Sequence, residues 1–272
     1  MNALFAAGFV GCGNMGGALA TAATRAEGTP PIAVYDPSGD KLRPLVALGA
    51  TQAASAAALA RQSKLVFLGV KPTVLGHVLE ELCEGLKENP DAVLVSMAAA
   101  VSIADVRTML ARLGLTRPVI RIMPNTPSAV GCGMTVYAAS EDVSAEDEAR
   151  FLSVMRPSGE VRRLDESRID AAGCVSGCGP AFAYMFAEAL ADGGVACGLT
   201  REDAAALAAG MLSGAAEMLK VYGHPADLKD AVCSPGGTTI CGVKALEDGG
   251  FRASVMAAVQ AAYDRTLEMK RK

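Results

Sequence analysis

Three glycines stand at G-x-G-x-x-G spacing in the segment GCGNMG: Gly11, Gly13 and Gly16. That spacing suits phosphate binding. Gly11 permits a tight turn, Gly13 lets the backbone approach a pyrophosphate, and Gly16 lets a helix pack closely on a sheet. The segment follows an apolar strand and opens a helix, so the amides around Cys12, Asn14 and Met15 face the phosphates. Asp36 comes 25 residues after Gly11, at the end of the next apolar run. A carboxylate there accepts from an adenosine ribose 2′-hydroxyl and repels a 2′-phosphate, which leans toward NADH over NADPH. The opposite reading stays open. Asp36-Pro37-Ser38 is also ordinary turn chemistry, and Ser38, Lys41 and Arg43 suit a 2′-phosphate.

Three later segments end apolar runs and supply further candidates. GVKP at 69–72 places Val70, Lys71 and Pro72 where a dinucleotide crosses a parallel sheet, with Lys71 in reach of a phosphate or ribose. MAAAV at 97–101 offers small side chains, Ala98 among them, against which a nicotinamide ring fits. In RIMPNTP at 121–127, Asn125 is a polar group held between two prolines, suited equally to a site and to a turn. Metal chemistry is not expected. His77 and His224 stand alone, and the eight cysteines form no C-x-x-C pair.

These residues need elements to hold them. Apolar runs at 4–10, 32–35, 65–70, 92–97, 119–123, 134–138 and 160–164 read as strands. Helical spacing between them, at 15–25, 41–48, 74–86, 102–113 and 146–155, makes this half a mainly parallel, doubly wound sheet covered on both faces. Ser102 is the expected N-cap of the fourth of these helices. Beyond about residue 165 only helical periodicity remains, at 169–175, 180–193, 200–222, 227–232, 238–247 and 251–267, with the final KRK frayed. Thr200 caps the third, with Asp203 completing a capping box. The expectation is therefore an α/β chain, with a Rossmann-type parallel-sheet domain over 1–165 and an all-helical domain over 166–272.

Composition narrows the class. The 272 residues carry a formal net charge of −4, with 51% hydrophobic, 20% charged and 4% aromatic residues and no Trp. A general nucleic-acid surface and an aromatic stacking platform are disfavoured. No signal-like start and no uninterrupted apolar run of bilayer length is read, so the expectation is no membrane and a reducing cytoplasm with free thiols.

Together the segments GFVGCGNMGGALA at 8–20, GVKP at 69–72, RIMPNTP at 121–127, SGCGPAF at 176–182 and SPGGTTICGVKALEDGG at 234–250 make the chain resemble the pyrroline-5-carboxylate reductase family. The resemblance spans nearly the whole chain, and PGGTT is its most specific segment. It implies NADPH- or NADH-dependent reduction of 1-pyrroline-5-carboxylate to L-proline, and a helical domain that forms homodimers, which in the family commonly assemble further into rings, often of five dimers. It also implies a substrate carboxylate held at the turn of Ser234, Gly236, Gly237, Thr238 and Thr239, with Thr239 orienting the ring nitrogen and Thr238 chiefly capping a helix. Ser176 is carried over as a substrate neighbour at the start of a helix. The chain departs from the family pattern at Ala100, where Gly is common, and at Cys178 and Phe182, where hydroxyls are common. The nearest enzymatic rival, a β-hydroxyacid dehydrogenase, needs a catalytic Lys after its glycine-rich substrate segment, and 176–194 contains none.

Overall fold

The computed structural model describes residues 4–25 and 31–270. Of the KRK tail, Arg271 and Lys272 lie outside them, and Lys270 closes the last helix. Two compact units are present: unit 1, Met1–Cys178 with Ala262–Lys272, and unit 2, Gly179–Ala261.

Unit 1 alternates strands and helices: β1 (Phe5–Val10), α1 (Asn14–Arg25), β2 (Ile32–Tyr35), α2 (Gly39–Ala47), β3 (Thr51–Gln52), α3 (Ala56–Gln62), β4 (Ser63–Leu68), α4 (Leu75–Glu88), β5 (Val93–Ser96), α5 (Ile103–Arg112), β6 (Val119–Met123), β7 (Gly133–Ala139), α6 (Ala145–Met155), β8 (Gly159–Arg163) and α7 (Glu166–Ser176). One sheet runs β3-β2-β1-β4-β5-β6-β7-β8. Every neighbouring pair is parallel except β6 and β7. Between those two the chain makes only a short helical turn at Thr126–Val130, too little for a crossover, so β7 returns antiparallel. The pair β3 and α3 was not expected. The strand is two exposed residues and the helix seven, mostly alanine, so neither leaves a legible period.

Alternate residues of the central strands feed two apolar cores. On β4, Val66 and Leu68 join Leu94 and the helix residues Leu79 and Leu82 on one face. Leu65 and Phe67 join Phe9, Leu19 and Phe151 on the other, and the Phe9 and Phe67 rings stack at 4.4 Å. A period-2 split of continuous apolar strands is what burial on both faces requires. Ser102 caps α5 as expected. Its hydroxyl accepts from the Asp105 amide at 3.1 Å, and the Asp105 carboxylate accepts from the Ser102 amide at 2.9 Å.

Unit 2 is helical throughout: α8 (Gly179–Ala196), α9 (Arg201–Tyr222), α10 (Pro225–Ala231), α11 (Thr238–Asp248) and the first turns of α12 (Phe251–Lys270). Thr200 caps α9, its hydroxyl accepting from the Asp203 amide at 3.1 Å. The Asp203 carboxylate accepts from that hydroxyl rather than from the Thr200 amide, so the reciprocal half of the expected box is not made. Among its described residues only Ala191, Ala204 and Ala208 are buried apolar side chains. The compact units divide after Cys178. Helix α7 belongs to unit 1 because Asp170 meets Arg121 of β6 there.

Among the described residues one helix, α9, is long and apolar enough to cross a membrane by length and composition. Its charges sit at both ends, Arg201, Glu202 and Asp203 against Glu217 and Lys220. Residues 204–216 between them fall short of the roughly 20 apolar residues a bilayer needs.

Candidate active site

The sheet order places β2 on one side of β1 and β4 on the other, the switch point where an open α/β sheet leaves a crevice beyond its carboxyl ends. The Gly11 amide donates to the Tyr35 carbonyl at 2.9 Å, and the Gly69 amide to that of Val10 at 2.7 Å. These bonds pin the glycine loop to both neighbouring strands. Gly11 has φ 86, a left-handed backbone that favours glycine. A Cβ on Gly16 would lie 2.0 Å from the Gly11 carbonyl oxygen, and one on Gly69 2.3 Å from the same atom. Three backbones therefore meet where no side chain fits. Gly69 completes this junction, and the sequence reading passed over it for Val70 and Lys71.

Gly13 is different. A Cβ there would meet nothing within 4 Å. Its lack of a side chain serves no packing need of this chain, and it leaves open space at the start of α1, beside Asn14 and Met15. That open cradle at the first-turn amides fits a dinucleotide pyrophosphate. Val70 lies against Gly11, Lys71 is exposed just ahead of the turn at Pro72–Val74, and Ala98 is buried after β5.

Asp36 is 7% exposed and turned onto the loop. One carboxylate oxygen accepts from the Cys12 amide at 2.9 Å and the other from the Ser38 amide at 2.9 Å, with the Lys41 ammonium 3.2 Å from both. Burial opposes ionisation, but the two amides and Lys41 outweigh it and hold the carboxyl below its ordinary value. Asp36 clasps the glycine loop, and the Lys41 cation stands beside it. The Cys12 thiol is pushed up to about 12, by burial first and by the Asp36 charge second, so it stays a protonated packing group.

Asn125 is bonded to the protein through both ends of its amide. Its amide nitrogen donates to the Ser176 carbonyl at 3.0 Å, and its oxygen accepts from the Met134 amide at 2.9 Å. It braces β6 against the end of α7. The placement of Ser176 at the start of a helix is corrected. The residue ends α7 rather than starting α8, and its hydroxyl donates back to the Ala172 carbonyl at 3.0 Å.

In unit 2 the segment 234–239 forms a turn leading into α11. Gly236 has φ 68, and the Gly237 amide closes the turn on the Ser234 carbonyl at 3.0 Å. The N-cap is Gly237 and supplies no side-chain bond. Thr238 is thus the first helical residue, not the cap that was expected. The amides of Thr238, Thr239 and Ile240 occupy the first turn, where no intrahelical acceptor exists. Thr238 and Thr239 are exposed, so amides and hydroxyls stand open to an anion at the positive end of a helix.

The comparisons agree with this geometry. Residues 166–269 match a family model described as pyrroline-5-carboxylate reductase dimerisation, and residues 6–100 match one described as NADP oxidoreductase, coenzyme F420-dependent. The pyrroline-5-carboxylate reductase of Escherichia coli K12 is 40% identical over 269 residues, which cover 97% of this chain and 98% of that protein. A solved Plasmodium falciparum pyrroline carboxylate reductase with NADP bound superposes with a TM-score of 0.86 at 32% identity, covering 98% of this chain and 99% of that one. The enzyme of Coxiella burnetii gives 0.87 at 32% identity, over 99% and 100%. A Streptomyces aurantiacus imine reductase, at 20% identity and a TM-score of 0.55, shares the fold alone. By its near full-length identity to these enzymes, the chain belongs to the pyrroline-5-carboxylate reductase family.

Proposed function

We propose that this chain reduces 1-pyrroline-5-carboxylate to L-proline with NADPH or NADH, as the last step of proline synthesis in the cytoplasm. The observation that carries the reading is the open first turn of α11, whose amides and Thr239 hydroxyl suit a cyclic imino-carboxylate. When bound, the nicotinamide coenzyme supplies the hydride. Gly11, Cys12, Gly13, Asn14 and Met15 hold its pyrophosphate, Val70, Lys71 and Pro72 border it, and Ala98 lies beside its nicotinamide. Lys41, with Ser38 and Arg43, accommodates a 2′-phosphate, so NADPH is accepted although Asp36 stands nearby. Ser234, Gly236, Gly237 and Thr238 hold the substrate carboxylate through backbone amides. Thr239 orients the ring nitrogen. That nitrogen arrives protonated, so the imine carbon is electrophilic without a protein acid, and hydride addition at carbon yields the secondary amine directly.

A second copy of the chain completes the helical unit. Helices α10, α11 and α12 bury no side chain of their own among the described residues. Phe182, Met185, Phe186, Phe251 and Val255 line an apolar groove of about 400 Å³. Such a face suits subunit pairing, and we read the assembly as dimers that gather into a decamer.

The test is steady-state reduction of 1-pyrroline-5-carboxylate with each coenzyme, run beside Thr239→Val. Turnover is expected with NADPH, and the variant should lose about 10–100-fold in kcat/KM, the cost of one unmade buried hydrogen bond. No turnover with either coenzyme overturns the reaction, and an undiminished Thr239→Val enzyme overturns the role of Thr239.

A further inference from the structure

The chain passes between its two units twice, after Cys178 on leaving unit 1 and at Ala262 on returning. Both passages are rooted on the same helix. Within unit 1, α7 is fastened to β6 at two points. The Arg121 guanidinium donates to Asp170 at 2.5 Å, and Asn125 donates to the Ser176 carbonyl at 3.0 Å. The last turns of α12 are fastened to α7 at two more. Thr266 meets the Cys174 thiol at 3.9 Å, and the Lys270 ammonium pairs with the second Asp170 oxygen.

Asp170 therefore carries both roots at once. Its side chain is 3% exposed and that of Arg121 2%. Glu166 adds a second acid, 3.4 Å from Arg121, while accepting the Ile103 amide at 2.7 Å. A charged pair that deep is weak evidence for stability, because desolvation offsets most of the attraction. Its worth lies in fixing one arrangement of the groups around it. Apolar side chains at these positions would hold the helices together without dictating where along one another they stop.

We infer that Asp170, through Arg121 and Lys270, is a positioning residue for imine reduction. It holds the roots of α8 and α12, the helices that begin and end the unit bearing Ser234–Thr239. The inference rests on the proposed reaction for its catalytic consequence and on the ion cluster alone for its structural one. The two are separable by experiment.

The test uses the full chain with Lys270→Met, Lys270→Arg and Asp170→Asn. Lys270→Met removes one arm and leaves Asp170 paired with Arg121, so it folds even if Asp170→Asn does not. Hydrogen exchange should quicken at 262–270 and also at 179–185 in Lys270→Met, with Lys270→Arg restoring protection at both. The dissociation constant for NADPH should stay within about twofold, while kcat/KM for 1-pyrroline-5-carboxylate falls by about fivefold or more and recovers in Lys270→Arg. Unchanged exchange at 179–185 overturns the shared root. Quickened exchange with wild-type kcat and KM overturns the positioning role. A wild-type chain that binds NADPH and makes no proline overturns the reaction instead, and the exchange result still decides the shared root.

Discussion

Gly13 and Asp36 mark how far single residues can be read. The role of Gly13 follows from spacing, and the open space around it is the physical content of that role. Gly13→Val should leave the fold intact by circular dichroism and weaken NADPH binding by at least about tenfold, or 1.4 kcal/mol, in a nicotinamide fluorescence titration. Asp36 was legible as a position and not as a partner. Its bond to the Cys12 amide spans 24 residues and depends on how β1 and β2 pair. Its carboxyl is held below the ordinary value of 3.8. A group depressed in the folded state contributes stability that is present above its unfolded pKa and is lost as pH falls through the folded one. Asp36→Asn should therefore have a lower urea midpoint than the wild type at pH 7, and the gap should close below the usual carboxyl value of 3.8. A gap that persists undiminished in acid would show that the charge contributes nothing.

Elements with strong local signals came through the sequence nearly intact, as β2, β6 and α9 do. Each has either a continuous apolar run or a cap with its acidic partner three residues on. The losses have local causes. Helix α7 looked like a unit 2 helix because nothing in its period says which surface it faces. Its real signal was Arg121, a charge inside the apolar run VIRIM that demanded a buried acid. The turn between β5 and α5 shows the opposite case, a departure from family pattern with a structural price. Ala100 has φ 62, the one non-glycine residue in the left-handed region among those described. A Cβ there costs about 1–2 kcal/mol, and glycine returns about 0.4–1 kcal/mol of that through the unfolded chain. Ala100→Gly should raise the melting temperature by about 1–3 °C. A fall would mean that the Ala100 methyl group packs better than its backbone strains.

At the scale of the molecule, the mainly parallel sheet and the helical second half were accessible, because apolar runs alternate with helical spacing in the first half and only helical spacing remains in the second; the two-residue β3 and the strand order were not. The packing of α7 with unit 1 was not, since it is set by contacts between residues far apart in sequence. A unit with three buried apolar side chains cannot stand as a monomer in water. Light scattering should return an even multiple of 27.7 kDa, with ten copies the expected plateau, and a stable monomer would refute that reading.

The double passage between units also sets an order of assembly as the polypeptide is made. A chain emerging N-terminus first completes β1 to α7 early, and domains ordinarily fold as they appear. Unit 1 nevertheless includes residues 262 onward, and Lys270 reaches Asp170 only after all of unit 2 has been synthesised. The sheet is therefore built early and finished late, and a ribosome that stalls within α12 leaves a nucleotide-binding fold with half of its buried carboxylate still unanswered.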